Sequence, residues 1–168
     1  MRSRLLIPAL AIGFTGAIAS CDNNISNIGE GLDDVATWRA TLTAAQETPT
    51  PTGATAGANG RAWFTDNGTT LTWHLQYAGL TSNATAAHIH RAAAGVAGPV
   101  IVPLTVIGQT SGVLEGTVDM TLADVAPSST ETVSPDSLRT LLNNGNAYVN
   151  VHTTTNGAGE IRGQIARR

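Results

Sequence analysis

Thr69-Thr70-Leu71-Thr72-Trp73-His74-Leu75-Gln76-Tyr77-Ala78 decides the fold class. Large apolar residues stand at 71, 73, 75 and 77, and polar ones at 72, 74 and 76. A period of two belongs to a β-strand with one face against a core. Just before it, Asp66-Asn67-Gly68 is a tight-turn signal, because Asn and Gly tolerate the backbone such turns require. Gly60 to Thr65 reads as a short strand, so 61–66 and 69–78 should pair as a hairpin.

Working outward, the same grammar recurs. Trp38 to Ala45 alternates and is rich in threonine, and Gln46 to Gly53 is a loop punctuated by proline and glycine. Downstream, Thr85 to His90, Val100 to Ile107, Val113 to Leu122, Ala147 to Thr153 and Glu160 to Ala166 read as strands. The last two are joined by a turn around Asn156-Gly157-Ala158-Gly159. One helix interrupts the series. Ser134 caps it, Pro135 takes its first position, and Leu138, Leu141 and Leu142 form its apolar face before Asn143-Asn144-Gly145 ends it. About eight short strands, turn signals roughly every ten residues and one short helix predict an all-β chain, an antiparallel β-sandwich or flattened barrel.

The first residues belong to export rather than to the fold. Arg2 and Arg4 precede an apolar run, Leu5 to Ala19, too short for a comfortable membrane span. Ile18-Ala19-Ser20-Cys21 places small residues before the only cysteine in the chain. The pattern resembles the signal of bacterial lipoproteins and implies cleavage before Cys21 and acylation of its thiol. The expected layout is therefore a signal peptide over 1–20, a polar tether over 21–36 and one domain over 37–168. The expected localisation follows: secretion across the inner membrane and lipid anchoring at the bacterial cell envelope, in the periplasm or at the cell surface. Without Cys21 the domain has no thiol for a disulfide or a cysteine-based metal site. There is no lysine, and beyond the signal peptide seven arginines face twelve acidic residues, a net −5. Such a surface offers no basic patch to nucleic acid.

Three of the four histidines fall in two of the strands. In Thr85-Ala86-Ala87-His88-Ile89-His90, the two histidines share a face because they are two residues apart. In Tyr148-Val149-Asn150-Val151-His152-Thr153, the valines mark the buried side and His152 lies opposite with Tyr148 and Asn150. If the two strands come together, three imidazoles converge outside the hydrophobic core. His74 stands alone and reads as a surface residue.

These segments, with Ala44-Ala45-Gln46-Glu47-Thr48-Pro49, Gly98-Pro99-Val100 and Gly159-Glu160-Ile161-Arg162-Gly163-Gln164-Ile165, resemble the CHRD domain, the chordin-type module of bacterial secreted proteins. The resemblance runs from about Trp38 to Ile165. It implies an immunoglobulin-like β-sandwich distantly similar in fold to copper/zinc superoxide dismutase, and it leaves the biochemical role largely open. Thr48 departs from the small aliphatic residue usual before the proline.

The dismutase comparison suggests a reading of the histidines. A His-x-His pair on one strand and a further histidine on a late strand suit one copper or zinc ion. His88, His90 and His152 are the candidate ligands. Asn150, Glu47 and Glu160 are candidate neighbours that would accept from the outer ring N–H groups, with Glu47 or Glu160 as a fourth ligand. The competing reading is a structural network in which His, Asn and Glu satisfy one another. For Arg162 the expectation is an ion pair with Glu47 or Glu160. Dismutase activity is disfavoured, because Arg91 to Gly145 contains no histidine for a bridging imidazole or a second metal. The leading expectation is a non-enzymatic binding or structural module of the envelope, with an envelope protein or glycan as partner. The alternative is a copper- or zinc-binding protein.

Overall fold

The computed structural model describes residues 30–168 apart from Thr55, Ser128 and Thr130. The signal peptide, Cys21 and the first part of the tether lie outside the described residues. Nine strands form one antiparallel sheet: β1 (Trp38–Thr43), β2 (Asn59–Asp66), β3 (Thr70–Ala78), β4 (Ala84–Arg91), β5 (Val100–Leu104), β6 (Gly112–Asp119), β7 (Ala147–Thr153), β8 (Ile161–Gln164) and β9 (Ala166–Arg167). Their order is β5-β4-β7-β8-β1-β2-β3-β6, with β9 paired to β1. The two edge strands, β5 and β6, are joined by residues 105–111 alone. So short a link between opposite ends forces the sheet to curl into a nearly closed barrel, which agrees with the all-β expectation.

The hairpin forms as its turn predicts, with Asp66 opposite Leu71 and Asn59 opposite Ala78. Asn67 Oδ1 accepts from the backbone N–H groups of Thr69 and Thr70 at 3.0 and 2.9 Å, and Gly68 takes φ 98°. Alternation then assigns the faces. Leu71, Trp73, Leu75 and Tyr77 are buried, as are Leu42, Phe64, Ile89, Val149, Val151 and Ile161 from the other strands. Each such side chain contributes about 1.5–3 kcal/mol through removal of apolar surface from water. Trp73 lies across Gly116 on β6, where a Cβ would stand 2.3 Å from the ring.

The expected strand boundaries shift in four places, one of them the run from Glu160 to Ala166, which divides into β8 and β9 on either side of Ile165. Ala44–Gln46 is a 3₁₀ turn that bends the chain off β1, β5 stops at Leu104 and β6 at Asp119. The helix (α2, Pro135–Asn143) has Ser134 accepting from Ser137 N–H at 3.2 Å, and it seats Leu138 and Leu142 in the core. Arg139 ties it to the hairpin through Asp66 at 2.7 Å. A further short helix, α1 (Glu30–Val35), occupies the end of the segment expected to be a tether. Asp33 of this helix accepts from Trp63 Nε1 at 2.7 Å and sits 3.9–4.0 Å from Arg39 and Arg61. Among the described residues no helix is long and apolar enough to cross a membrane.

Candidate metal centre

Strand register assembles the site. His88 on β4 lies opposite Asn150 on β7, His90 opposite Tyr148, and Ala86 opposite His152. On the other side of β7, Asn150 faces Arg162 of β8 and Tyr148 faces Gln164. Residues directly opposite share a face, as do residues two apart on one strand. The intervening Ala87, Ile89, Val149, Val151 and Ile161 fill the core, so the histidines, Asn150, Tyr148, Arg162 and Gln164 stand together on the outer face.

That face is not open surface. The loop from β4 to β5 folds back over it as a strap. Arg162, only 2% exposed, donates to the carbonyls of Ala93 and Val96 at 3.3 and 2.8 Å. Its guanidinium lies 3.4 Å above the Tyr148 ring, a cation–π arrangement. Gln164 Nε2 donates to Ala92 O at 2.9 Å, and Tyr148 OH accepts from Gly98 N–H at 3.2 Å. The Tyr148 ring stacks on His90 with centroids 4.8 Å apart.

The three histidines meet at the end of this layer. One ring nitrogen from each of His88, His90 and His152 lies within 4.8 Å of the others, and His88 Nδ1 is 3.0 Å from His152 Nε2. Two tautomers follow from the carbonyl partners. His90 Nδ1 is 2.8 Å from Gly98 O and His152 Nδ1 is 3.0 Å from Gly157 O. A carbonyl only accepts, so both Nδ1 atoms carry the proton and both Nε2 atoms present a lone pair. His88 Nδ1 is then the donor between the two rings. His90 Nε2 is buried and has no hydrogen-bond partner.

Charge is withheld from all three rings. Burial and the adjacent His152 and His90 push His88 down to about 4. Burial likewise lowers His90, against the pull of the Gly98 carbonyl, and His152, against that of Gly157. Neutral imidazoles are what Cu(II) and Zn(II) require; His90 and His152 already aim Nε2 lone pairs, and His88 would ligate through Nδ1 once its proton moves to Nε2. A tetrahedral shell with bonds of about 2.0–2.1 Å spaces its nitrogens about 3.4 Å apart, a value that lies between the 3.0 Å of His88 to His152 and the 4.8 Å limit of the group.

The acidic neighbours divide. Glu160 is fully buried and accepts from Thr81 N–H at 2.6 Å, Thr153 Oγ1 at 2.7 Å and Asn156 Nδ2 at 3.2 Å. Burial alone would raise it; the hydrogen bonds from Thr81, Thr153 and Asn156 outweigh that and hold it below the usual carboxylate range. It clamps the β3–β4 connection to the β7–β8 turn. Glu47, 7% exposed, is pushed up to about 7 by burial, and its Oε1 has no hydrogen-bond partner. Neither carboxylate belongs to the group of converging nitrogens, which is made of the three histidines alone. The outer ring N–H groups of His90 and His152 go to backbone carbonyls, not to Asn150, Glu47 or Glu160. Arg162 likewise spends its hydrogen bonds on strap carbonyls, not on an ion pair with either glutamate. His74 is elsewhere, 3.4 Å from Glu115 across the β3–β6 pair.

The strap and its Arg162–Tyr148 clasp escape a reading of the chain in order, because Ala92 to Gly98 carries no side chain that announces a partner. A buried arginine in a strand is the one signal available. In comparison with known proteins, no curated protein and no solved structure matches the chain. A family model does: that of the CHRD domain, over residues 38–165.

Proposed function

The chain belongs to the CHRD-domain family, and on that premise we propose that it is a non-enzymatic binding module of the cell envelope whose ligand is a single copper or zinc ion. One observation carries the metal reading: three neutral imidazoles from adjacent strands converge, two of them with Nε2 lone pairs pre-oriented by Gly98 and Gly157. Backbone acceptors on the outer nitrogens fix ring orientation and raise ligand basicity, as in established histidine metal sites. An acyl chain on Cys21 would hold the module at the membrane. The proposal includes no dismutation, since His74 is far from the cluster and the chain has no other histidine for a second metal.

Protein purified without an affinity tag should carry, or take up at micromolar concentration, one equivalent of Zn(II) or Cu(II). His88→Ala combined with His152→Ala should abolish uptake while leaving the far-UV circular dichroism unchanged. No stoichiometric metal in the native protein removes the metal reading. Unfolding of the metal-free double variant favours the histidines as a purely structural network.

A further inference from the structure

We infer that Glu47 is the counter-charge of the three-histidine centre and makes it select divalent over monovalent metal ions. The inference rests on the metal reading above and concerns a residue that is not itself a ligand.

Three neutral imidazoles leave the full charge of a bound ion uncompensated, and the buried guanidinium of Arg162 adds to it. Taking such charge out of water is costly unless an opposite charge lies near. Among the described residues the buried acids are Glu47 and Glu160. Glu160 is consumed by its donors at the Thr81 end of the barrel. Glu47 retains an unused oxygen.

Its position is set by Asn150 and Gly159. A Cβ at Gly159 would stand 2.3 Å from Glu47 Oε1 and 2.9 Å from Asn150 Nδ2, so the carboxyl and the amide meet over this glycine. Asn150 is the cross-strand partner of His88, and its amide lies beside both the Glu47 carboxyl and the His90 ring. Glu47 Oε1, Asn150 Oδ1 and His90 Nε2 are all buried with no partner at full hydrogen-bond geometry, the Asn150 amide being near both other groups without closing a well-formed bond to these atoms. Orphaned buried acceptors are rare in folded proteins. Three in one neighbourhood mark a place short of hydrogen-bond donors, although the Arg162 guanidinium acts on it from nearby. The groups that act on the Glu47 carboxyl are the Thr48 backbone, the Arg162 guanidinium on β8 and the Asn150 amide on β7, and Asn150 in turn joins it to His88 and His90 on β4. Glu47 is the only carboxylate among them, so removing its charge leaves the layer net positive.

Coulomb attraction scales with the charge of the ion, so a divalent ion gains twice what a monovalent one gains from the same carboxylate. The test is a competition titration at pH 8 on the intact, untagged, metal-stripped protein, with Zn(II) and, under anaerobic reduction, Cu(I). Glu47→Gln should weaken Zn(II) binding by roughly tenfold or more and Cu(I) binding by much less. Adding Asn150→Asp to that variant should restore Zn(II) affinity, which a merely structural role of Glu47 would not predict. Equal loss for both ions, or no loss of Zn(II), overturns the inference. Should Glu47→Gln fail to fold, Asn150→Asp alone decides: a gain for Zn(II) without a gain for Cu(I) is expected, and no differential change overturns it. Failure of the native protein to bind either ion overturns the metal reading and this one with it.

Discussion

At the scale of single residues, the two buried glutamates titrate in opposite senses. Glu160 is held below the usual range by hydrogen bonds to its charged form, so the unfolded chain binds its proton more readily than the folded one. Its contribution to stability is present above the unfolded value and is lost as pH falls through the folded one. Glu47 is the reverse. Its folded value of about 7 lies above the ordinary 4.5, so between these values the folded protein holds a proton the unfolded chain has given up. Ionising it in place costs stability, fully above pH 7, and acidification towards 4.5 relieves that cost. Metal-free Glu47→Gln should therefore be more stable than native at pH 8 by roughly 1–3 kcal/mol and nearly equal to it at pH 5. Thermal melts with chelator at the two pH values measure this; a gain of the same size at both would show that the carboxyl is not the strained group. A residue kept at such a cost is consistent with a use for its charge. The sequence names both glutamates as neighbours of the histidines, but their different fates depend on Thr81, Thr153 and Asn156. Thr81 in particular, 79 positions from Glu160, gives no local sign of the pairing.

At the scale of elements, the turn between β7 and β8 shows how alike residues separate in space. Asn156-Gly157-Ala158-Gly159 reads in sequence as a turn, with nothing to tell its two glycines apart. In the structure Gly157 faces open space, and its carbonyl holds the His152 ring. Gly159 has φ +134° and no room for a Cβ beside Glu47 and Asn150. Gly159→Ala should cost at least about 2 kcal/mol, combining backbone strain with displacement of buried polar groups. Gly157→Ala should stay within about 0.5 kcal/mol of native. Urea denaturation midpoints compare the two. The strands themselves were legible because alternation is a local property, and Leu71 to Tyr77 follow it without exception. The strap over residues 92–98 was not, because it is held by its backbone alone: Arg162 and Gln164 of β8 donate to its carbonyls and Tyr148 of β7 accepts from Gly98 N–H.

For the whole molecule, the expected leader and Cys21 imply a short distance between bilayer and barrel. Eight residues lie between Cys21 and Glu30, the start of α1, so the nine Cα–Cα steps reach at most about 30 Å when extended. An acyl anchor would thus keep the domain close to the bilayer, with α1 docked on Arg39, Arg61 and Trp63 at its near side. Cys21→Ala should move the protein from the membrane fraction to the soluble fraction in cell fractionation; unchanged partitioning would remove the lipid anchor. By itself the sequence determined the fold class, the inward and outward faces of β3, β4 and β7, the capped helix and the outward placing of His88, His90 and His152. Those follow from periodicity and local backbone chemistry. Only the tertiary structure decided that β4 neighbours β7, that β7 neighbours β8, and that a loop closes over their polar face. Pairing joins residues as distant as His88 and His152, 64 positions apart, and is set by which curled sheet buries the apolar faces best. Burial then turned a polar face into neutral imidazoles and a strained carboxyl, because desolvation acts on groups only once the chain has enclosed them.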